Sequence, residues 1–237
     1  MQVMKDVFLL SGHAYGLHPN VYAVRGKHEL VMIDSGLDEI DLAVIDRTCR
    51  EWGLETLPIT HLLLTHAHFD HSGNAHAFRQ RGALVTAGPS DAEGIELGDD
   101  RTIPYAYGRK FPACKVDIKV NDGDVIQADG LHFAVIHAPG HSDGSVFYRL
   151  EIDSKVILFT GDVVRVKGNC EGALLGWSGG IDYNPDIYIK SLERIAKLDC
   201  DILLGGHFHP CLKDGYKILQ NAYMRALLDF RKPSIYE

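Results

Sequence analysis

The sequence predicts an α/β fold in which two sheets pack face to face with helices outside. Three observations predict it. The first third of the chain alternates short apolar strands with amphipathic helices, the pattern of a layered α/β fold. After residue 114 the pattern restarts as a run of strands. Each half, about 1–120 and 121–237, ends alike: strands, a polar residue at a strand end, then a helix. No internal repeat accompanies this likeness, so the halves are read as parts of one domain spanning 1–237. A chain of 237 residues, 46% hydrophobic, can bury a core of that size without disulfides.

Taken in order, VFLL (7–10), VYAV (21–24) and LVMI (30–33) are β-branched or aromatic and separated by Gly- and Pro-bearing turns, which marks strands. Residues 38–51 put Ile40, Val44, Ile45 and Cys49 on one side of a helix that Gly53 closes. HLLLT (61–65) is a continuous apolar strand, residues 71–81 a helix, and ALVTA (83–87) a strand. Residues 88–114 read as irregular and long enough for a pocket wall or lid. Five strands follow: 115–120, 124–128, 132–138, 145–151 and 155–160. A loop over 163–185 leads to a helix over 186–198, with Ile187, Leu192, Ile195 and Leu198 inward. DILLGG (201–206) is the last strand and 217–230 a closing helix.

Composition excludes several function classes. The formal net charge is -8, and no Lys/Arg-rich patch offers phosphate contacts, so no nucleic-acid partner is expected. No stretch approaches 18 apolar residues, so no membrane span is expected. The first sixteen residues lack an apolar core and cleavage site, so no signal peptide is read and the cytoplasm is the default location. The five cysteines (Cys49, Cys114, Cys170, Cys200, Cys211) form no C-x-x-C pair and are read as free thiols in a reducing compartment.

The chemistry concentrates in THAHFDHSGN (65–74). His66 and His68 are two apart, so on an extended segment both rings point the same way and reach one ion. Asp70 and His71 follow where the chain turns into a helix and can face a second centre. Later strands end in His141 (APGHS), Asp162 (FTGD) and His207 (LLGGH), and an earlier one in Asp34 (MIDSG). Neighbouring glycines let the backbone approach closely. By count, His66, His68 and His141 can hold one ion, Asp70 and His207 another, and Asp162 can bridge. Two divalent ions about 3.5–4 Å apart would clamp attacking and leaving oxygens and lower the pKa of a shared water. Zinc suits these donors; iron and manganese would accept them too.

THAHFDH resembles the H-x-H-x-D-H signature of the metallo-β-lactamase fold superfamily. His141 in PGHS, Asp162 in FTGD and His207 in GGH match in order and approximate spacing, so the resemblance covers nearly the whole chain. It implies an αβ/βα four-layer sandwich with two central mixed sheets and the metals at the edge between them. It also implies that His71 joins Asp70 and His207 on the second metal, that Asp162 bridges, and that Asp34 supports the ligand network.

Other residues carry softer expectations. His209, two past His207, is read as a proton donor or substrate contact. Trp177, Tyr183, Tyr105 and Tyr107 form a pocket wall or pin the irregular segments. Arg165 and Lys167 meet a substrate carboxylate or phosphate, or lie in solvated surface. His61, His76, His132 and His137 are structural or exposed, and His13 and His18 are turn residues. Tyr223, Arg225 and Arg231 belong to a docked helix or a homodimer edge.

The reaction expected is metal-dependent hydrolysis. A metal-bridging hydroxide cleaves a small acyl substrate (thioester, ester or lactone), and Asp70 orients the nucleophile and shuttles its proton. Within the resembled family, lactonases carry tyrosine three residues past the bridging aspartate, where Arg165 stands. Glutathione thioester hydrolases carry a C-terminal helical domain longer than the segment after His207. Alternatives on the same residues are a phosphodiester hydrolase, a mononuclear iron persulfide dioxygenase and a non-catalytic binding module.

Overall fold

The computed structural model describes residues 1–12, 18–168 and 172–230. His13, Cys170 and Arg231, which the sequence reading places in a turn, as a free thiol and at a helix or dimer edge, lie outside them.

The first half runs β1 (Gln2–Met4), β2 (Val7–Ser11), β3 (Val21–Arg25), β4 (Leu30–Ile33), α1 (Glu39–Glu51), β5 (Ile59–Leu63), α2 (Phe69–Ser72), α3 (Ala75–Gln80), β6 (Leu84–Ala87), α4 (Pro89–Leu97), a 3-10 turn (Asp100–Thr102), α5 (Pro104–Tyr107) and β7 (Ile118–Lys119). Its strands form one sheet in chain order, β1 to β7, antiparallel from β1 to β4 and parallel from β4 to β7. The second half runs β8 (Val125–Ala128), β9 (Leu131–His137), β10 (Val146–Ile152), β11 (Lys155–Gly161), β12 (Arg165–Val166), β13 (Ala173–Leu174), α6 (Pro185–Ile195), β14 (Ile202–Gly205) and α7 (Gly215–Phe230). Its sheet has the order β14-β11-β10-β9-β8, with only β11 and β14 parallel; β12 and β13 form a separate ribbon.

Why the strands read as unbroken apolar runs is clear from the packing. Successive side chains point to opposite faces, and both faces of the first sheet are covered. Val7, Leu9, Tyr22, Val24, Val31, Ile33 and Leu63 face the second sheet. Their neighbours Phe8, Leu10, Val21, Ala23, Leu30, Met32 and Leu62 pack beneath α1, α3 and α4. On the far side, α6 and α7 cover the second sheet through Leu192, Ile195, Leu219 and Ala222. The layers are helix, sheet, sheet, helix: the αβ/βα sandwich expected from the sequence.

The inter-sheet core is pinned at the ends that matter. The Tyr22 and Phe159 rings meet edge-on at 5.7 Å, a pairing that contributes about 0.5–1.5 kcal/mol beyond burial. The Tyr148 hydroxyl donates to the Leu64 carbonyl and the Tyr22 hydroxyl to the Gly205 carbonyl. Each tyrosine thus grips the opposite sheet just before Thr65-His66 and Gly206-His207.

Local departures from the sequence reading have physical causes. Residues 88–114 are largely helical, because Pro89 and Pro104 start α4 and α5, and Gly98 and Gly108 end them in left-handed conformation. The single helix expected over 71–81 is two, divided at Gly73-Asn74. Only Ile118–Lys119 of the strand over 115–120 pairs. In α1, Ile40 is exposed and Asp41 buried: Asp38 caps the helix, and the Asp41 carboxylate turns back to Leu37 N and His18. In α6, Ile187 is exposed and Tyr188 and Ile189 take the inward face.

Candidate metal centre

The two sheets bring their strand ends to one edge. His66 and His68 follow β5, Asp70 and His71 lie in α2, His141 sits in the β9–β10 turn, Asp162 follows β11 and His207 follows β14. All of them are buried. Three overlapping sets each place their donor atoms within 4.8 Å: His66, His68 and His141; His66, His71 and Asp162; Asp70, His71 and His207.

The closest approaches are 3.3 Å between Nε2 of His66 and Nε2 of His141, 3.2 Å between Nε2 of His71 and Nε2 of His207, and 3.1 Å between His207 Nε2 and Asp70 Oδ2. Two donors, each about 2.0–2.1 Å from one tetrahedral ion, lie about 3.3 Å apart. A nitrogen pair that close hydrogen-bonds when one ring carries the proton; when neither does, both lone pairs face a shared cation. Asp162 Oδ1 is buried without a hydrogen bond, yet lies 3.5 Å from His71 Nε2 and 3.6 Å from His207 Nε2. An orphaned carboxylate oxygen between two imidazoles fits a cation. The donor set therefore suits one or two divalent ions.

The electrostatics agree. Burial pushes His66 and His141 well below the ordinary imidazole range, helped by neighbouring imidazoles. Burial also lowers His68, against the pull of Asp70 and Asp162. Neutral rings are what a metal requires. Burial opposes the charge of Asp70 and Asp162, but His71 and His207 at Asp70, and His207 and Arg165 at Asp162, hold both below the usual carboxylate range. At His71 burial is outweighed by Asp70, Asp34 and Asp162, which push it up to about 10. The same carboxylates that hold a proton there would hold a metal ion.

Supporting contacts fix these groups. Asp34 accepts from Thr65 N at 2.8 Å and Thr65 Oγ1 at 2.9 Å, and His71 Nδ1 lies 2.9 Å from its Oδ2. Gly206 is glycine by necessity, because a Cβ there would sit 2.5 Å from His71 Cε1 and 2.8 Å from Asp162 Oδ1. Tyr107 borders Asp70; burial and that carboxylate push its phenol up, so it stays protonated.

A cavity of 360 Å³ opens above this cluster, lined by His68, Asp70, Asp162 and His207 on one side and by Ile103, Ala106, Tyr107, Arg165, Trp177 and Phe208 on the other. Arg165 and Trp177 thus border it as expected. Tyr183 and His209 are not among its lining residues: Tyr183 packs edge-on against Tyr188 in the outer core. Arg165 donates to the Leu175 carbonyl, lies over the Phe208 ring and reaches to 3.7 Å from Asp162. Ile103, Ala106 and Phe208 escaped the sequence reading, since single apolar residues beside Pro, Gly and His carry no periodic signal. Asp91 escaped it too. It is fully buried, and burial pushes its carboxyl up to about 7, opposed by hydrogen bonds from Ser142, Ala67 and Gly144. In the sequence it is one acid among several in a segment read as irregular.

A model of the metallo-beta-lactamase superfamily matches residues 14–207. The chain belongs to the metallo-beta-lactamase superfamily. Among curated proteins, the acyl-coenzyme A thioesterase MBLAC2 of Bos taurus is 30% identical over 223 residues, covering 82% of this chain and 74% of the relative. The hydroxyacylglutathione hydrolase GloC of Haemophilus influenzae is 30% identical over 109 residues, 44% of this chain and 49% of its own. Among solved structures, the Cronobacter sakazakii metallo-beta-lactamase with a HARLDQ motif aligns with a TM-score of 0.78 over 98% of this chain and 92% of that one, at 19% identity. BJP-1 of Bradyrhizobium japonicum, a subclass B3 metallo-beta-lactamase, aligns at 0.72 over 95% and 92%, at 23% identity. At those identities the likeness speaks to the fold. The chain is a hydrolytic enzyme of this superfamily. Among the described residues, no helix is long and apolar enough to cross a membrane.

Proposed function

We propose that this enzyme hydrolyses a small acyl thioester at a two-metal centre. The observation that carries the reading is the convergence of the three donor sets on the floor of one cavity. His66, His68 and His141 would hold one ion, Asp70, His71 and His207 the other, and Asp162 would lie between them. Such a pair, zinc being the best match to these donors, supplies Lewis acidity at the carbonyl oxygen and a water acidified towards neutrality.

The chain's own residues do the rest. Asp70, kept ionised by His71 and His207, orients the attacking water through a carboxylate oxygen and takes its proton. Tyr107, protonated beside it, steadies that carboxylate. Attack at the thioester carbon breaks the C–S bond, the proton passes from Asp70 to the departing sulfur, and a carboxylic acid and a thiol result. Ile103, Ala106, Tyr107, Trp177 and Phe208 offer the acyl group an apolar wall. Arg165 places one fixed positive charge at that wall, suited to an anionic group on the substrate. The likeness to an acyl-coenzyme A thioesterase, 30% identical over 223 residues against 27% over 198 for a hydroxyacylglutathione hydrolase of a Methylobacterium strain, supports a coenzyme- or carrier-linked thioester.

The test is elemental analysis of the purified protein beside a panel of acyl-coenzyme A, acyl-pantetheine and glutathione thioesters, lactones and phosphodiesters, with released thiol followed by a disulfide dye. Two metal equivalents and preferred turnover of the first two substrates are expected. His68→Ala should lose a metal equivalent and most turnover. Metal-loaded protein inert on every thioester, or His68→Ala with full activity, refutes the reading.

A further inference from the structure

We infer that Asp91 is the positioning residue for the three-histidine half of the centre, acting through backbone that carries the imidazoles and touching none of them. It rests on the assignment of His66, His68 and His141 to one ion. The Asp91 carboxylate extends from the first turn of α4. Its Oδ2 accepts from Ala67 N at 2.7 Å and from Ser142 Oγ at 2.8 Å; its Oδ1 accepts from Gly144 N at 2.8 Å. Ala67 lies between His66 and His68, and Ser142 follows His141. One side chain therefore ties the β5 segment of the first sheet to the β9–β10 turn of the second, at the point where the three rings converge.

The chemistry of the site calls for a carboxylate. It accepts at both oxygens, and the three donors use both. An amide would turn an N–H towards either Ala67 N or Gly144 N and lose that bond. The seat is cut to fit: Gly144 has no side chain, and a Cβ there would lie 2.5 Å from Asp91 Oδ1. Ser142 is itself held, its hydroxyl 2.6 Å from the Ser145 hydroxyl, so the turn bearing His141 is stitched before it meets Asp91. Asp34 plays the corresponding part on the other side, through Thr65 and His71. Asp34 also reaches His66 Nδ1 through the Thr65 hydroxyl, whereas the bonds of Asp91 to Ala67, Ser142 and Gly144 lie wholly in the three-histidine half.

That placement makes the idea testable. Asp91→Asn and Ser142→Ala are compared with the unaltered protein by cobalt titration, following the visible absorption of the three-histidine ion, and by zinc competition with a chromogenic chelator. The far-UV circular dichroism and melting temperature of each metal-free protein are recorded in parallel. Asp91→Asn is expected to weaken the three-histidine ion roughly 10- to 100-fold, the scale of a lost supporting contact, to change the cobalt spectrum, to leave the other ion near its original affinity, and to keep the metal-free fold, with a melting temperature lowered only as far as one lost buried hydrogen bond accounts for. Ser142→Ala, lacking a single bond to the same oxygen, is expected to weaken the same ion by a smaller factor. Equal weakening of both ions, in step with a lower melting temperature, overturns the inference, as do unchanged affinities. If Asp91→Asn does not fold, Ser142→Ala decides: selective weakening supports the inference, and none overturns it. Unaltered protein that takes up no metal sinks the ligand assignment itself, a separate result.

Discussion

The Asp34 carboxylate faces Nδ1 of His71 at 2.9 Å, and this one contact decides which nitrogen of the ring is free. With Nδ1–H donating to Asp34, Nε2 is the nitrogen that faces Asp70, Asp162 and His207. Asp34→Asn is expected to disturb that tautomer and lower metal affinity at the Asp70, His71 and His207 donors by roughly 10- to 100-fold, measured by chelator competition. Loss of hydrogen bonds to a buried carboxylate should also destabilise the fold by about 1–3 kcal/mol, read by denaturant melts.

Gly206 offers a geometric prediction. A methyl group at this position has nowhere to go between His71 and Asp162. Gly206→Ala is expected to displace one of them by a fraction of an ångström and reduce kcat/KM by about 100-fold, with KM changed far less than kcat.

Metal uptake should release protons. Without an ion, Asp70, Asp34 and Asp162 push His71 up to about 10 against its burial, which favours the protonated ring at pH 8; as a ligand it must be neutral. Loading at pH 8 is expected to expel about one proton from this residue, with release disappearing as the pH rises past 10. Calorimetric titration in buffers of different ionisation enthalpy measures the number. No net release at pH 8 would contradict the expectation.

The thiols of Cys49, Cys114 and Cys200 should be inert in the folded protein. Burial pushes Cys49 and Cys114 up to about 11 and Cys200 up to about 12. At pH 8 a thiol of that kind is roughly one-thousandth thiolate or less. Peptide-resolved alkylation should therefore find these three labelled at least roughly 100-fold more slowly than in unfolded chain. Rapid labelling of Cys49 in native protein would contradict the expectation.

Much of the architecture was legible because both faces of the central sheets are covered. Strands such as LVMI and KVILFT have no polar face to interrupt them, and the donors stand where those runs stop. Tertiary pairings were not legible. Nothing local in GPSDAEGIEL distinguishes Asp91, whose partners lie at Ala67, Ser142 and Gly144. Asp41 was hidden for a similar reason: its carboxylate serves Leu37 N and His18, so α1 buries a charge where periodicity places Ile40. The helices of 88–108 were masked by the very prolines and glycines that start and stop them.

The donors are drawn from both sheets, joined through the Tyr148–Leu64 and Tyr22–Gly205 bonds. Neither half of the molecule owns a reaction centre. Catalytic competence is therefore a property of the seam, and sliding one sheet across the other by about an ångström would silence turnover long before anything melts. Laboratory evolution towards new substrates has free rein in the cavity walls, but alterations along that seam, however remote from bound substrate, should be the ones it cannot tolerate.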